Sequence, residues 1–334
     1  MAGFSPFNGG PKPPGVAAIQ VGVRHNLPVA DCLHYTTART ANCQEPSGVR
    51  SRQLQSFVCL ERSKSVKKTF ARDNALSLPA IHLPAMACDI RIGTSGFHYK
   101  HWRGPFYPAR MPASKMLAYY VQHFDTLELN NSFYRLPEAT AFDCWREATP
   151  ANFIIAVKAS RFITHNKKLK DPENALDNLL PRAAQLGPKL GPVLFQLPPH
   201  WRVNTERLVN LLEILPRDVR YAFEFRELSW ISPEVESILR KFNAAFCIYE
   251  LAGYHSPFSV TADFAYVRLH GPDSGKYQGS YTQERLSNWA RQIETWAAQL
   301  KAVYVYFDND QAGYAPINAM TLKKMIRGNR ERVA

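Results

Sequence analysis

Apolar and polar positions alternate along eight short stretches of the 334-residue chain. They predict strands at Ile90–Thr94, Thr126–Asn130, Phe153–Lys158, Val193–Gln196, Tyr221–Arg226, Ala245–Tyr249, Ala265–His270 and Val303–Asp308. Between them the period turns helical, at Pro112–His123, Glu138–Glu147, Asp171–Leu186, Thr205–Leu215, Pro233–Lys241, Thr282–Leu300 and Pro316–Met325. On Thr282–Leu300 the residues Leu286, Trp289, Ile293, Trp296 and Leu300 share one face. Asp171 reads as an N-cap with Pro172 in the first turn, and Pro181 is expected to kink that helix. Ser232 reads as a cap and Asn243 as a helix exit. Tyr249 to Phe264 is too short and too poor in helix formers for a full helix. Repeated β–α units predict an α/β fold, an irregular (β/α)8 TIM-like barrel over residues 86–328, with 329–334 as a tail. An open doubly wound sheet is the alternative, but no GxGxxG follows the first strand.

Residues 1–85 break this pattern. They hold FNGGPKPPG, a single Tyr35 and no Trp, a composition expected of a disordered or dispensable N-terminal extension. They contain no apolar signal-peptide core, and their prolines argue against an amphipathic transit helix. Met86 is a candidate true start, because it would place the first strand at the N-terminus. The extension also changes the meaning of the charge. It carries ten Lys/Arg against four Asp/Glu, so +6 of the net +13 lies outside the barrel. The overall basic balance is therefore weak support for nucleic acid. Six scattered cysteines without CxxC spacing suggest reduced thiols and a cytoplasmic protein, and no apolar run is long enough for a bilayer.

Strand alternation locates a candidate site. Leu127 and Leu129 share one face of their strand, with Glu128 and Asn130 on the other. Phe223 and Phe225 likewise oppose Glu224 and Arg226, Val267 and Leu269 oppose Arg268 and His270, and Val305 and Phe307 oppose Tyr306 and Asp308. Lys158 and Gln196 end their strands in the same way, and Gly93 and Ser95 fall on the polar face of the first. The apolar sets belong under the helices. The polar sets then face the barrel axis, near the strand ends where barrel enzymes build their sites. A closed ion-pair network without a ligand is the structural alternative, though burying so many charges costs several kcal/mol per ion unless pairing is excellent.

Gly93-Thr94-Ser95-Gly96 would let backbone amides approach an anion, or would simply turn the chain. Lys158, Arg226 and Arg268 are candidate clamps for phosphate or carboxylate, whereas Arg161 reads equally as a solvated loop residue. Tyr99, Trp102 and Trp230, with Phe133 and Tyr134, lie just past strand ends, where they would stack on a ligand or anchor loops. Tyr306 and Asn309 complete the candidate binding set. His165 and His270 with the acidic residues offer ligands for a divalent ion, but no HxH or HExxH is present, and no cofactor is expected. No GxSxG elbow supports a Ser95 hydrolase. Glu128 and Glu224 across a barrel suit general acid and base roles, including glycosidic cleavage.

Seven motifs in order, IRIGTSGFHYKHWRGPFYP, FDTLELNNSFYRLP, VKASRFITH, LGPVLFQLPP, FEFRELSW, YVRLHG and VYVYFDNDQAGYAPINA, resemble the DUF72 or YecE-like family over residues 88–326. The resemblance implies a TIM-like barrel and supplies no reaction or catalytic residue. Phe97 replaces a tryptophan frequent in the family, and the carboxylates of Asp308-Asn309-Asp310 replace an expected asparagine pair. The resulting expectation is an enzyme acting on a small anionic substrate, phosphorylated or nucleotide-containing, by general acid/base hydrolysis or lyase chemistry. Glu128 and Glu224 would be acid and base, and His270 and Asp308 would orient or transfer protons. A non-catalytic barrel binding nucleic acid or a small ligand is the alternative, and a glycosidase-like hydrolase a second one. The sequence leaves the oligomeric state open.

Overall fold

The computed structural model describes residues 87–333. The N-terminal extension and Met86 lie outside the described residues. Eight parallel strands form the wall: β1 (Asp89–Thr94), β2 (Thr126–Leu129), β3 (Ile154–Lys158), β4 (Leu190–Gln196), β5 (Tyr221–Glu224), β6 (Ala245–Leu251), β8 (Phe264–Leu269) and β9 (Ala302–Phe307). They pair in the order β1-β9-β8-β6-β5-β4-β3-β2. Helices α1 (Met116–Tyr120), α2 (Asn131–Tyr134), α3 (Ala139–Glu147), α4 (Glu173–Ala184), α5 (Thr205–Ile214), α6 (Pro233–Lys241), α7 (Gln283–Ala297) and α8 (Tyr314–Val333) fill the connections. The exception is the link after β6. There Ala252 and Gly253 take positive φ, and β7 (Tyr254–His255) folds back antiparallel on β6. This hairpin is the barrel's irregularity, in the span too short for a helix.

Each strand is apolar outward because a helix covers it. Leu127, Leu129, Val157, Phe223, Phe225, Val267, Leu269, Val305 and Phe307 join Leu286, Trp289 and Ile293 of α7 in the core between wall and helices. Thr282 and Ser232 cap α7 and α6 by accepting from Arg285 N and Val235 N, and Asn243 leaves α6 with a φ of 50°. Inside the barrel a second core sets small residues against large ones. Ala156, Ala222 and Ala245 face Phe264, Tyr266, Tyr304 and Tyr306, the interdigitation that fills a narrow barrel.

Local detail departs from the periodic reading in several places. Asp171 is not a cap. The chain leaves β3 through a π-helical turn at Phe162–Asn166, then passes Lys168, Leu169 and Asp171 in left-handed conformations, so α4 starts only at Glu173. The first predicted helix shrinks to α1, preceded by a 3-10 turn at Ala113–Lys115. α8 runs on to Val333, so most of the predicted tail is helical.

The wall closes weakly between β1 and β2. In the backbone, one bridge, Ser95 with Glu128, and one hydrogen bond, Gly96 N–H to Glu128 O at 2.8 Å, span the seam. Gly93 permits this approach, because a Cβ there would lie 2.5 Å from Thr126 O. At Gly93 the missing side chain thus serves the contact between the two strands. Gly93→Ala is expected to cost roughly 2 kcal/mol or more, the scale of overpacking a rigid core, and a urea titration would read it. An unchanged midpoint would show that the seam can open freely.

Candidate functional site

The polar faces of the strands meet at the C-terminal end of the barrel, around Arg268. Its Nη1 donates to Glu224 Oε2 at 2.8 Å, and its Nη2 reaches Glu128 Oε1 at 2.8 Å, Asp308 Oδ2 at 3.0 Å and Ser95 Oγ at 3.0 Å. Glu128 also accepts from Ser95 Oγ and from Tyr266 OH at 2.6 Å. Glu224 accepts from Arg226 and has Cys247 Sγ at 3.8 Å. Arg268, Glu128 and Glu224 have no exposed surface. Near-complete pairing makes this burial tolerable. The closed network weighed from the sequence therefore exists, but it forms a floor and not the whole site.

Burial opposes the direct roles expected of Glu128 and Glu224. A general acid or base must reach its substrate, and these carboxylates have no exposed surface and are each paired to Arg268 at 2.8 Å. A glycosidase-like arrangement, with two carboxylates flanking an open cleft, is not formed. Oppositely charged Arg226 and Arg268 hold the Glu224 carboxyl well below its ordinary range, against the upward push of burial. Both residues hold Arg268 in place.

Around this network the same strand ends place Asn130, Lys158, Gln196, Arg226, His270 and Asp308, with Gln196 the register partner of Glu224. Asp308 keeps 13% of its side chain exposed, with Oδ2 taken by Arg268 and by His270 Nδ1 at 3.1 Å. Its carboxyl is held below the ordinary range, where Arg268 outweighs burial. His270 is fully enclosed. Its Nε2 lies 3.0 Å from Arg226 Nη2, and a guanidinium can only donate, so Nε2 accepts and Nδ1–H donates to Asp308. His270 orients its neighbours and is not open to a ligand. Arg226 also lies 4.9 Å over the Tyr249 ring. Asn130 donates to Ser95 Oγ at 2.6 Å.

Lys158 differs from every other cation of the site. It ends β3 at 8% exposure, and among the described residues no carboxylate lies within 4.0 Å of its Nζ. Its neighbour is the Phe133 ring, 4.3 Å away. Burial first, then the Arg268 charge, lowers its pKa to about 8, with Glu128, Glu224 and Asp308 pulling the other way. Lys189, as buried, spends its protons on Arg146 O at 2.5 Å and Thr149 O at 2.6 Å. It is a structural lysine. Lys158 has no such partners.

Several residues expected to bind a ligand instead anchor loops. Trp102 is fully buried, its Nε1–H donating to Asp310. Asp310 also sits 3.2 Å from His101, so this carboxylate ties down the aromatic loop instead of adding charge to the mouth. Trp230 donates to Trp201 O at 2.7 Å and stacks on Phe225. Tyr306 bonds Thr126 Oγ1 at 2.8 Å inside the barrel. Asn309 bonds Gly279 O at 2.9 Å and Asn318 at 2.8 Å. Tyr99 bonds Ser95 O at 2.9 Å and stays partly exposed. Gly96 makes room for it by having no Cβ, which would meet the Tyr99 hydroxyl at 2.5 Å.

The candidate binding set lacks three residues that the structure adds at the mouth. His165 packs edge-on to Phe133 at 5.1 Å, and burial, Lys158 and Arg161 lower its pKa to about 4. Tyr277 lies edge-on to His270 at 5.4 Å, and Tyr249 sits under Arg226. Among the described residues no group of three or more His, Cys, Asp or Glu is arranged to hold a metal ion, and no helix is long and apolar enough to cross a membrane.

Comparisons with known proteins agree with this architecture. Residues 91–334 match the family described as protein of unknown function DUF72. UPF0759 protein YunF of Bacillus subtilis is 29% identical over 252 residues, 66% of this chain and 89% of that protein. UPF0759 protein YecE of Escherichia coli K12 is 30% identical over 108 residues, 32% of this chain and 40% of that protein. A DUF72 family protein from Thermotoga maritima superimposes with a TM-score of 0.66 at 30% identity, covering 72% of this chain and 99% of that one. A DUF72 family protein from Enterococcus faecalis, 21% identical with a TM-score of 0.62, shares the fold. The chain belongs to the DUF72 family.

Proposed function

We propose that the mouth is the active site of an enzyme that performs acid–base chemistry on a small anionic molecule, phosphorylated or nucleotide-containing. The observation that carries this reading is the ammonium of Lys158, on a side chain only 8% exposed, with the Phe133 ring 4.3 Å away and no acceptor among the described residues. A ligand anion would supply the missing partner. Arg226 stands at the same opening with Nη1 free of any hydrogen bond to the described residues, and would share the anion. Asp308, with Oδ1 likewise unengaged and its pKa depressed, suits a base. Gln196 and Asn130 would orient the ligand through their amides, and Tyr99 would wall its apolar side.

A thermal-shift screen over phosphates, nucleotides, sugar phosphates and divalent ions tests the reading. At millimolar concentration an anionic ligand is expected to raise Tm by several degrees in the wild type, about 2.7 kcal/mol at a hundredfold excess over Kd. Lys158→Met should lose most of that rise. A shift that survives in Lys158→Met and in Arg226→Ala would sink the proposal.

A second reading, a barrel that binds single-stranded nucleic acid, is favoured by the rim. Tyr134, Phe162, Leu228 and Tyr277 are exposed by 75%, 47%, 68% and 40% in the connections after four different strands. The loops after β1 and β3 carry Lys100, Arg103, Arg110, Lys115, Arg161, Lys167, Lys168 and Lys170 against Asp171. The three exposed rings, Tyr134, Phe162 and Tyr277, and the basic loops together are what bases and phosphates require. Salt-sensitive binding of a labelled oligonucleotide, weakened by Tyr134→Ala with Phe162→Ala, would favour this reading.

A further inference from the structure

We propose that Lys158 is a covalent residue, whose amine attacks the carbonyl carbon of a small anionic aldehyde or ketone and holds it as an imine. This rests on the mouth being an anion site, and it names the group that reacts there. Buried cations elsewhere in the fold are matched to acceptors. Arg268 holds Glu128, Glu224 and Asp308, Arg226 holds Glu224, and Lys189 holds backbone carbonyls. Lys158 has an aromatic ring on one side and no acceptor among the described residues. A lysine retained only for charge would be matched in the same way.

The surroundings favour the free amine. Burial of the side chain costs the ammonium part of its hydration, and the Arg268 guanidinium repels it, the two means by which enzymes activate a lysine nucleophile. His165, kept neutral at physiological pH, adds no competing charge. With Lys158 bonded to carbon, Arg226 remains to hold the anionic group, and Gln196, the register partner of Glu224, keeps 9% exposure with no hydrogen bond to its side chain among the described residues.

The step balances without a redox partner. Neutral Nζ adds to the carbonyl carbon, and the C=O π pair moves to oxygen, which takes a proton. Nitrogen gives up one proton and the hydroxyl takes another and leaves as water. The products are a protonated imine and one water, with one proton consumed overall. Asp308, backed by His270 Nδ1–H, is the group at the mouth suited to relay these protons.

The test incubates the full chain with glyceraldehyde 3-phosphate, dihydroxyacetone phosphate or pyruvate across about pH 6 to 9, and reduces with cyanoborohydride. Intact mass and peptide mapping then locate the adduct. The expected result is one adduct on the Lys158 peptide, at about ten times or more the occupancy of any surface lysine, given its lower pKa. Its yield should rise as pH approaches 8. Lys158→Arg should abolish it while keeping the phosphate-induced thermal shift, because the charge survives and the nucleophile does not. A wild type that shows the Lys158-dependent phosphate shift but gives no adduct, or adducts spread evenly over surface lysines, overturns the covalent step and leaves the anion site standing. Absence of both shift and adduct overturns the two together.

Discussion

Arg268→Ala is expected to destabilise the barrel by about 3–5 kcal/mol, the cost of leaving a buried ion network without its partner. Glu128 and Glu224 have no exposed surface, and each loses a 2.8 Å ion pair in this variant. Glu224 keeps Arg226, so the larger cost falls on Glu128, left with Ser95 and Tyr266. The double variant Arg268→Met, Glu128→Gln should recover a measurable part, because removing both charges is cheaper than orphaning one. The pH dependence has a definite sign. The Glu224 and Asp308 carboxyls are depressed in the folded state. Their contribution is therefore present above the ordinary carboxylate range and lost as pH falls through their folded values. The gap between wild type and Arg268→Ala should be full near pH 6 and narrow below about pH 4. Equal urea midpoints at pH 6 would mean that the floor carries no such network.

Lys158→Met is expected to act in the opposite direction and stabilise the apo protein. The ammonium is held at a pKa of about 8 against 10.5 for an ordinary lysine. Below pH 8 the folded protein carries a charge it solvates poorly. Between about 8 and 10.5 the unfolded chain binds the proton more tightly than the folded one, so wild-type stability rises with pH. The variant should gain on the order of 2–3 kcal/mol at pH 7, roughly 5–10 °C in Tm for a domain of this size. The advantage should fade toward pH 10. A side chain that costs stability at neutral pH, and that a simple exchange would relieve, is the kind a binding or catalytic role retains. Destabilisation by Lys158→Met at pH 7 would instead give Lys158 a structural role.

The barrel was legible because its strands are short and cleanly alternating, and because α7 and α6 carry their own caps in Thr282 and Ser232. Alternation also found the face on which Glu128, Glu224, Arg268 and Asp308 meet. Depth along the axis was not legible. One layer separates Glu128, which is sealed, from Lys158, which reaches the mouth, and a two-residue period does not encode that height. The tryptophans show a second limit. Trp102 and Trp230 have the position of ligand platforms, but Asp310 and Trp201 O, far away in sequence, take their indole N–H groups. His165 lies in a π-helical turn that carries no apolar period, so only its contact with Phe133 brings it to the mouth. Gly93 reads as room for a ligand until Thr126 is found against it.

Calorimetric titration of a phosphate monoester into wild type and Lys158→Met, at pH 7.5 and 9.5, tests the anion site most directly. The monoester stays dianionic across that range, its second pKa being about 6, so any change comes from the protein. Wild-type binding at pH 7.5 is expected to weaken about tenfold or more by pH 9.5 as Lys158 loses its charge, and binding in the variant to be weak and pH-flat. Equal affinity in the two proteins at pH 7.5 would contradict the anion site.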